Sequence, residues 1–455
     1  LGMRLENTLA YPATMILGGI SDNGLIYLLG SEMAEQFRRL GVHMNLAPVA
    51  DINNRRSNPV IGTRSFGEGR RNVADKVVAY MQGMQDHGVL VAAKHFPGHG
   101  DTDTDSHRAL PVIPHDRRRL DSLELFPFRE AIDKGLTGVM VAHLRVPELD
   151  PRDNRASTLS RPTITGVLKE EMGFQGLIIT DALNMKGLSN YFEPGFREVE
   201  AVKAGNDILL MPADVGKAIA AIKKAVRRGE IEESEVNESC RKILHAKYWA
   251  GLHHRVPIPT ESLLEDLNHA KYQVLYRKLV EHALILVKNR NQCLPLDQLE
   301  DRRLATVTIS REAAIPPLHT TDLFLEGKHF VLASEADQLA RSELLLKLKS
   351  YNTIVVNVLN TSSRASLGYG ISEQTLRFLE ALDPTSTRII NVAGMPYSLG
   401  RMKDLDGFDA VILSYRDDPL YQDLALQAIF GGASFSGRMP VTAGSQAVAG
   451  QGVST

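Results

Sequence analysis

Residues 94 to 107 read Lys-His-Phe-Pro-Gly-His-Gly-Asp-Thr-Asp-Thr-Asp-Ser-His, which puts three histidines and three aspartates in one loop bearing glycine and proline. Three chemistries suit that density. Asp101, Asp103 and Asp105 match the opening of an EF-hand calcium loop, but Ser106 stands where that loop needs Gly and Val112 where it needs Glu, so this reading is set aside. A zinc site from His95, His99 and His107 would lack both a His pair at helical spacing and a neighbouring Cys, and it is not preferred. Acid/base catalysis is the third. His107 has the ordinary histidine range that lets a side chain give and take a proton near neutrality, and Asp105, two residues earlier, can accept from its ring and stabilise the imidazolium.

Cleavage of a glycosidic bond needs a proton for the leaving oxygen and an anion across the anomeric carbon. Asp181 follows the apolar run Leu177 to Thr180 and is the candidate anion; the competing use of an Asp at such a turn is to cap the next helix. Lys94 and His95 end another apolar run, and Arg64 lies among Gly62, Ser65, Phe66 and Gly67, so three donors are available for sugar hydroxyls. Asp51, after Ala-Pro-Val-Ala, is assigned an ordering role in the loop of Asn53, Asn54 and Arg55 rather than a substrate contact.

These residues need a frame that delivers them to one face. Short apolar runs at Val42 to Val49, Val89 to Lys94, Thr137 to His143, Leu177 to Thr180 and Ile208 to Met211 alternate with amphipathic stretches, a βαβα rhythm of buried parallel strands. Ile26, Leu29, Met33, Phe37 and Leu40 mark one helical face, and Val215, Ile219, Ile222 and Val226 another; both are expected to pack on the sheet. Asp51, Lys94, His95, His143 and Asp181 all fall directly after strands. A TIM-like (β/α)₈ barrel gathers its site there, whereas a doubly wound sheet would favour a Gly-rich phosphate turn that this half lacks. A complete barrel takes about 250 residues, and no strand precedes Leu1-Gly-Met-Arg4, so a first strand is expected to be missing.

His253 to Pro259 has the basic and proline-rich character of a linker. Beyond it the alternation restarts with Ala283 to Lys288, Leu304 to Ile309, Ile354 to Leu359, Arg388 to Val392 and Ala410 to Ser414, and a Gly-rich loop, Gly431 to Met439, ends the series. Two domains follow, 1–255 as a barrel and 256–455 as a second α/β domain. Gly368-Tyr369-Gly370 lacks the spacing of a nucleotide turn and is read as a loop.

With 52 basic and 54 acidic residues, the chain has no positive excess to hold nucleic acid. No apolar run is long enough for a transmembrane helix. Cys240 and Cys293 form neither a disulfide framework nor a zinc pattern and are read as inert thiols. Leu1 is not an initiator methionine, so a processed or truncated N-terminus is expected, with an envelope location favoured over the cytoplasm.

The segment Lys94 to His107 resembles the signature of glycoside hydrolase family 3, in its β-N-acetylglucosaminidase (β-hexosaminidase) branch. The likeness continues through Ala47-Pro48-Val49-Ala50-Asp51, Arg64-Ser65-Phe66-Gly67, Ile179-Thr180-Asp181-Ala182-Leu183 and Ala204-Gly205-Asn206-Asp207. It implies a TIM-like barrel, retention of configuration, Asp181 as nucleophile and an Asp105/His107 pair replacing a carboxylic acid. It also implies that Lys94, His95 and Arg64 bind the sugar and that Arg4 closes a first-strand substrate motif whose carboxylate would precede Leu1. No metal or cofactor is implied. Residues from about 260 onward, closing on Phe435-Ser436-Gly437-Arg438-Met439-Pro440-Val441-Thr442, resemble the α/β sandwich that accompanies many family 3 barrels, with a structural or loop-gating role expected. The leading expectation is removal of terminal β-linked N-acetylglucosamine from peptidoglycan fragments. Beside it stand a phosphorylase, since a neutral histidine repels phosphate less than a carboxylate, a family 3 β-glucosidase, and a non-catalytic sugar-binding scaffold.

Overall fold

A computed structural model describes residues 5–102, 110–254, 256–311, 319–402 and 404–455. His107, Asp105 and Arg4 lie outside the described residues. The chain packs as two units, one made of the residues through Tyr11 with Asn23–Gln273, the other of Pro12–Asp22 with Val274–Thr455. None of the described helices is long and apolar enough to cross a membrane.

The first unit has the TIM-like architecture expected of it. Strands β1 (Met44–Asn45), β2 (Leu90–Val91), β3 (Ala93–Phe96), β4 (Gly138–Val141) and β5 (Leu177–Thr180) run parallel. A Val49–Lys94 bridge links the first pair to the next three strands, and an Ile179–Ile208 bridge extends the wall beyond β5. Neighbours in this wall follow one another in sequence, the strand order of a β/α barrel rather than of a doubly wound sheet. Among the described residues the wall does not return from Ile208 to β1. β4 and β5 are buried along their whole length, which explains why their sequences are unbroken apolar runs.

Two helices, Asn23–Arg39 and Arg70–Asp86, cross closely on the outside of this wall. Small residues set their spacing: a Cβ on Gly83 would lie 2.1 Å from the Tyr27 carbonyl oxygen, and one on Gly30 would lie 2.4 Å from that of Tyr80. Lys76, buried in the second helix, reaches the Asn23 side chain at 3.0 Å. The Pro259–Asp266 stretch is fastened to the first helix by Arg39, which donates to the Pro259 and Glu261 carbonyls and pairs with Asp266. One expectation needs correcting. In the helix Val215–Arg227, Val215 and Ile219 are exposed while Ala218 and Ala225 are buried, and Ile222 and Val226 pack with Val199 and Ile231. That helix rests on the neighbouring helix Phe196–Ala204, and its contact face is rotated toward the alanines.

The second unit is built on a six-stranded sheet. Its strands are β6 (Ile285–Asn289), β7 (Leu304–Ser310), β8 (Lys328–Ala333), β9 (Thr353–Val358), β10 (Thr387–Val392) and β11 (Ala410–Leu413), in the order β6-β11-β10-β9-β7-β8. All pairs are parallel except β6 with β11. Met15, from the early segment that joins this unit, packs with Tyr369, Tyr397 and Val441.

Gly83→Ala is expected to destabilise the chain by about 1–3 kcal/mol, because the added methyl meets backbone that cannot yield. Gly166→Ala, whose methyl meets nothing within 4 Å, is expected to leave stability unchanged or slightly raised. Urea unfolding of the two variants beside the parent measures the difference.

Candidate active site

The β/α wall brings its polar residues to the C-terminal ends of the strands. Asp51 follows the β1 segment and is 1% exposed, yet its carboxylate is fully used. It accepts from the His95 backbone N–H at 3.1 and 3.2 Å, from His95 Nδ1 at 2.7 Å and from the His99 backbone N–H at 2.7 Å. Burial opposes its charge, but the His95 and His99 contacts outweigh burial and hold the carboxyl below its usual range. The ordering role foreseen for Asp51 is therefore directed at the 95–99 segment; the Asn53 N–H is taken by the Gly67 carbonyl. Ser65, from the Arg64 loop, donates to the Asp51 carbonyl at 2.7 Å and fixes that loop alongside.

His95 is oriented from both sides. Arg64 Nη2 lies 3.3 Å from His95 Nε2 and can only donate, so the ring proton sits on Nδ1 and points to Asp51. Lys94, on the preceding residue, is half-buried; burial and the Arg64 charge pull its ammonium below the ordinary lysine range, against Asp181 and Asp51. The Lys94–His95 and Phe96–Pro97 peptides are both cis.

Asp181 leaves the end of β5. Its backbone N–H donates to the Val141 carbonyl at 2.9 Å, and its carboxylate accepts the Ala182 N–H at 2.8 Å. The next helix begins at Lys186 with no side chain capping it, so helix capping is not the use of this Asp. Burial would raise its pKa, but His95, His143, the Ala182 N–H and Lys94 together lower it, leaving an ionised carboxylate at neutral pH. Among the described residues it forms no direct ion pair.

Sequence reasoning placed His143 after a strand among the chemically able residues but gave it no role; it stands just beyond the end of β4. Its Nε2 lies 3.0 Å from the Ala182 carbonyl and its Nδ1 2.6 Å from the Thr158 hydroxyl. Burial holds this imidazole below its ordinary range, and a carbonyl only accepts, so the neutral ring carries its proton on Nε2. His143 thus holds the backbone next to Asp181. The signal available in sequence was its position directly after a buried strand; its partner, fifteen positions on, was not legible.

The stem of the 94–107 loop is held by further contacts. His99 is 2% exposed, its Nδ1 lies 2.8 Å from Thr102 Oγ1, and Asn58 donates to the His99 and Gly100 carbonyls at 2.9 and 3.0 Å. Asp101 meets His115 Nε2 at 2.7 Å and lies near Arg55 and Arg119, so its neighbours are cationic or donor groups of the protein. On the far side, the Ile113 N–H donates to the Arg145 carbonyl at 2.9 Å and the Arg145 N–H to the Pro111 carbonyl at 2.8 Å. The structure therefore brings Arg64, Lys94, His95 and Asp181 to one region; Asp105, His107 and Arg4 lie outside the described residues.

Comparison with known proteins places these residues in context. Residues 1–246 match the family model described as "Glycosyl hydrolase family 3 N terminal domain". The chain is 33% identical over 316 residues to a protein of Pseudoalteromonas piscicida named "Beta-hexosaminidase A", covering 64% of this chain and 52% of that protein. It is 24% identical over 462 residues to a "Beta-N-acetylglucosaminidase/beta-glucosidase" of Cellulomonas fimi, covering 95% of this chain and 80% of the relative. A solved family 3 β-N-acetylglucosaminidase from Paenibacillus sp. str. FPU-7 superimposes with a TM-score of 0.74 at 29% identity, covering 97% of this chain and 84% of that one. The chain spans about half the length of the Pseudoalteromonas protein.

The buried histidines predict a pH dependence of stability. Burial lowers the His99 pKa from 6.5 to about 4, so between those values the unfolded chain binds a proton that the folded chain refuses. Stability is then complete above pH 6.5 and falls as the pH drops toward 4, by about 3 kcal/mol for His99 alone. His143 acts in the same direction. Asp51 and Asp181, both held low, contribute stability that is lost only below the ordinary carboxylate range. Urea unfolding between pH 7.5 and 4.5 is expected to show a steeper acid loss for the parent than for His99→Gln, and superimposed profiles would show that His99 does not fold neutral.

Proposed function

The chain belongs to glycoside hydrolase family 3, and we propose that it is a retaining exo-β-N-acetylglucosaminidase with Asp181 as nucleophile and His107, steadied by Asp105, as general acid/base. The observation that carries this reading is the state of Asp181: ionised, free of a direct ion pair among the described residues, and held at the end of β5 by the Val141 carbonyl and the Ala182 N–H. A carboxylate in that state is available to attack.

In the proposed mechanism Asp181 attacks the anomeric carbon while His107 gives a proton to the leaving oxygen, and a glycosyl ester forms on Asp181. His107, now neutral, takes a proton from water as that water displaces Asp181, which restores both groups and the original configuration. Asp105 stabilises the imidazolium before the first step and after the second. Arg64, Lys94 and His95 are the proposed partners of the sugar hydroxyls, and Arg4 is proposed as a further substrate contact. The names of the Pseudoalteromonas and Paenibacillus relatives support N-acetylglucosamine over glucose as the sugar, while the Cellulomonas relative is named for both. Peptidoglycan-derived fragments, whose N-acetylglucosamine is β-linked to a muramic acid, are the proposed natural substrates. The 256–455 region is proposed as the companion α/β domain, with no catalytic acid of its own.

The test compares nitrophenol release from the β-N-acetylglucosaminide and the β-glucoside, with and without phosphate. Turnover of the acetamido substrate is expected without phosphate. Asp181→Asn should lower nitrophenol release on the order of 10²–10⁴-fold, and His107→Ala should lower cleavage of an N-acetylglucosamine disaccharide, a poor leaving group, by a similar factor and the nitrophenyl glycoside by less. A requirement for phosphate would reassign the chain as a phosphorylase. Absence of turnover in a folded protein would favour the sugar-binding scaffold.

A further inference from the structure

We propose that His319, Asp322 and His329, in the second unit, form a binding site for a divalent cation of the zinc class. Asp322 lies in the turn Thr320–Leu323, with His319 immediately before it, and His329 lies on β8 at the edge of the sheet. His319 Nδ1 is 3.1 Å from Asp322 Oδ2, and His329 Nε2 is 2.9 Å from each oxygen of the same carboxylate. The three prospective donor atoms lie within 4.8 Å of one another.

The donor set selects the metal. Two imidazoles and one carboxylate suit zinc, whereas calcium and magnesium call for oxygen donors. Bonds of about 2.0–2.1 Å in a tetrahedron place neighbouring ligand atoms ~3.3 Å apart, so the two imidazole–carboxylate separations need to open by only a few tenths of an ångström. The site is also built to hold its ligands. Thr306, buried on β7 in register with His329, meets the other ring nitrogen, His329 Nδ1, at 2.8 Å. A ring that donates Nδ1–H to that hydroxyl presents the Nε2 lone pair toward Asp322, the arrangement of a metal-binding histidine with an outer hydrogen-bond partner. The Gly327 N–H lies 3.3 Å from Asp322 Oδ1, and the Thr320 hydroxyl anchors the turn to Asp423.

Access and vacancy for a fourth ligand follow from the exposure gradient. The His329 side chain is 9% exposed, Asp322 34% and His319 63%, so one side of the trio rests on the sheet while the other opens to solvent, where water completes the tetrahedron. Metal bound there ties the turn at 319–323 to an edge strand that pairs on one side only.

Titration calorimetry of the full 455-residue chain with zinc chloride, beside magnesium chloride, tests the site. One saturable zinc equivalent is expected, with no magnesium uptake at the same concentration. His319→Ala removes an exposed ring and leaves the sheet intact; it should weaken that zinc equivalent roughly tenfold or more, and Asp322→Asn likewise. Zinc should raise the unfolding temperature of the parent and not that of His319→Ala. Absence of saturable zinc binding, or binding equally tight in both variants, would overturn the proposal. Neither variant touches Asp181 or its neighbours, so glycosidase activity is read separately.

Discussion

The hydrogen bonds converging on the buried carboxylate of Asp51 are the constraint around which the rest of the site is arranged. They satisfy the backbone N–H groups of His95 and His99 and set the His95 ring. Each is charge-assisted and worth about 1.5–3 kcal/mol, and removing the carboxylate would leave buried donors without partners. The ring orientation has a chemical consequence. With Nδ1–H given to Asp51, Nε2 accepts from Arg64, so the Arg64 loop and the end of β3 are joined through one imidazole. The same junction explains Gly100: a Cβ there would lie 1.6 Å from the Ile52 carbonyl, because the two loops meet backbone to backbone just beyond Asp51.

The anchoring differs between the two halves of the proposed machinery. Asp181 sits on a fully buried strand, and its flanking peptide is bonded on one side to β4 and on the other to His143. The stretches on either side of the proposed acid/base pair are fixed, by Asn58 and Asp101 before it and by the Pro111–Arg145 bonds after it. In a retaining mechanism the nucleophile must keep its distance from the anomeric carbon through two steps, while the acid/base must serve first a leaving group and then water. A buried strand end suits the first duty.

The barrel wall was legible because parallel strands buried on both faces carry unbroken apolar runs, and Gly138–Val141 and Leu177–Thr180 appear as such in the sequence. Lys94, His95 and Asp181 were legible for the same reason, each following a run. The role of Asp51 was only half legible: an ordering function was visible, but its partners lie 44 and 48 positions away and local turn chemistry pointed to the wrong loop. The face of Val215–Arg227 misled because apolar periodicity records amphipathicity without saying which flank a neighbour covers, and here small alanines make the contact. β8 went unread although Phe330 to Ala333 is an apolar run; as an edge strand it leaves Lys328, Val331 and Ala333 exposed, so the run is not matched by burial.

The proposed substrate is neutral and becomes cationic in reaction. Asp51 and Asp181 are both held below the ordinary carboxylate range. As the glycosidic bond breaks, positive charge grows on the sugar ring. Asp181 can answer it because none of its described neighbours neutralises it by a direct ion pair. Arg64 donates to His95, and Lys94 feels both Asp181 and Asp51. The Ala182 N–H lowers the energy of the Asp181 anion without cancelling its charge, and His143 holds that peptide in place. His143 thus acts on Asp181 both through the Ala182 peptide that it holds and through its own proximity to the carboxylate.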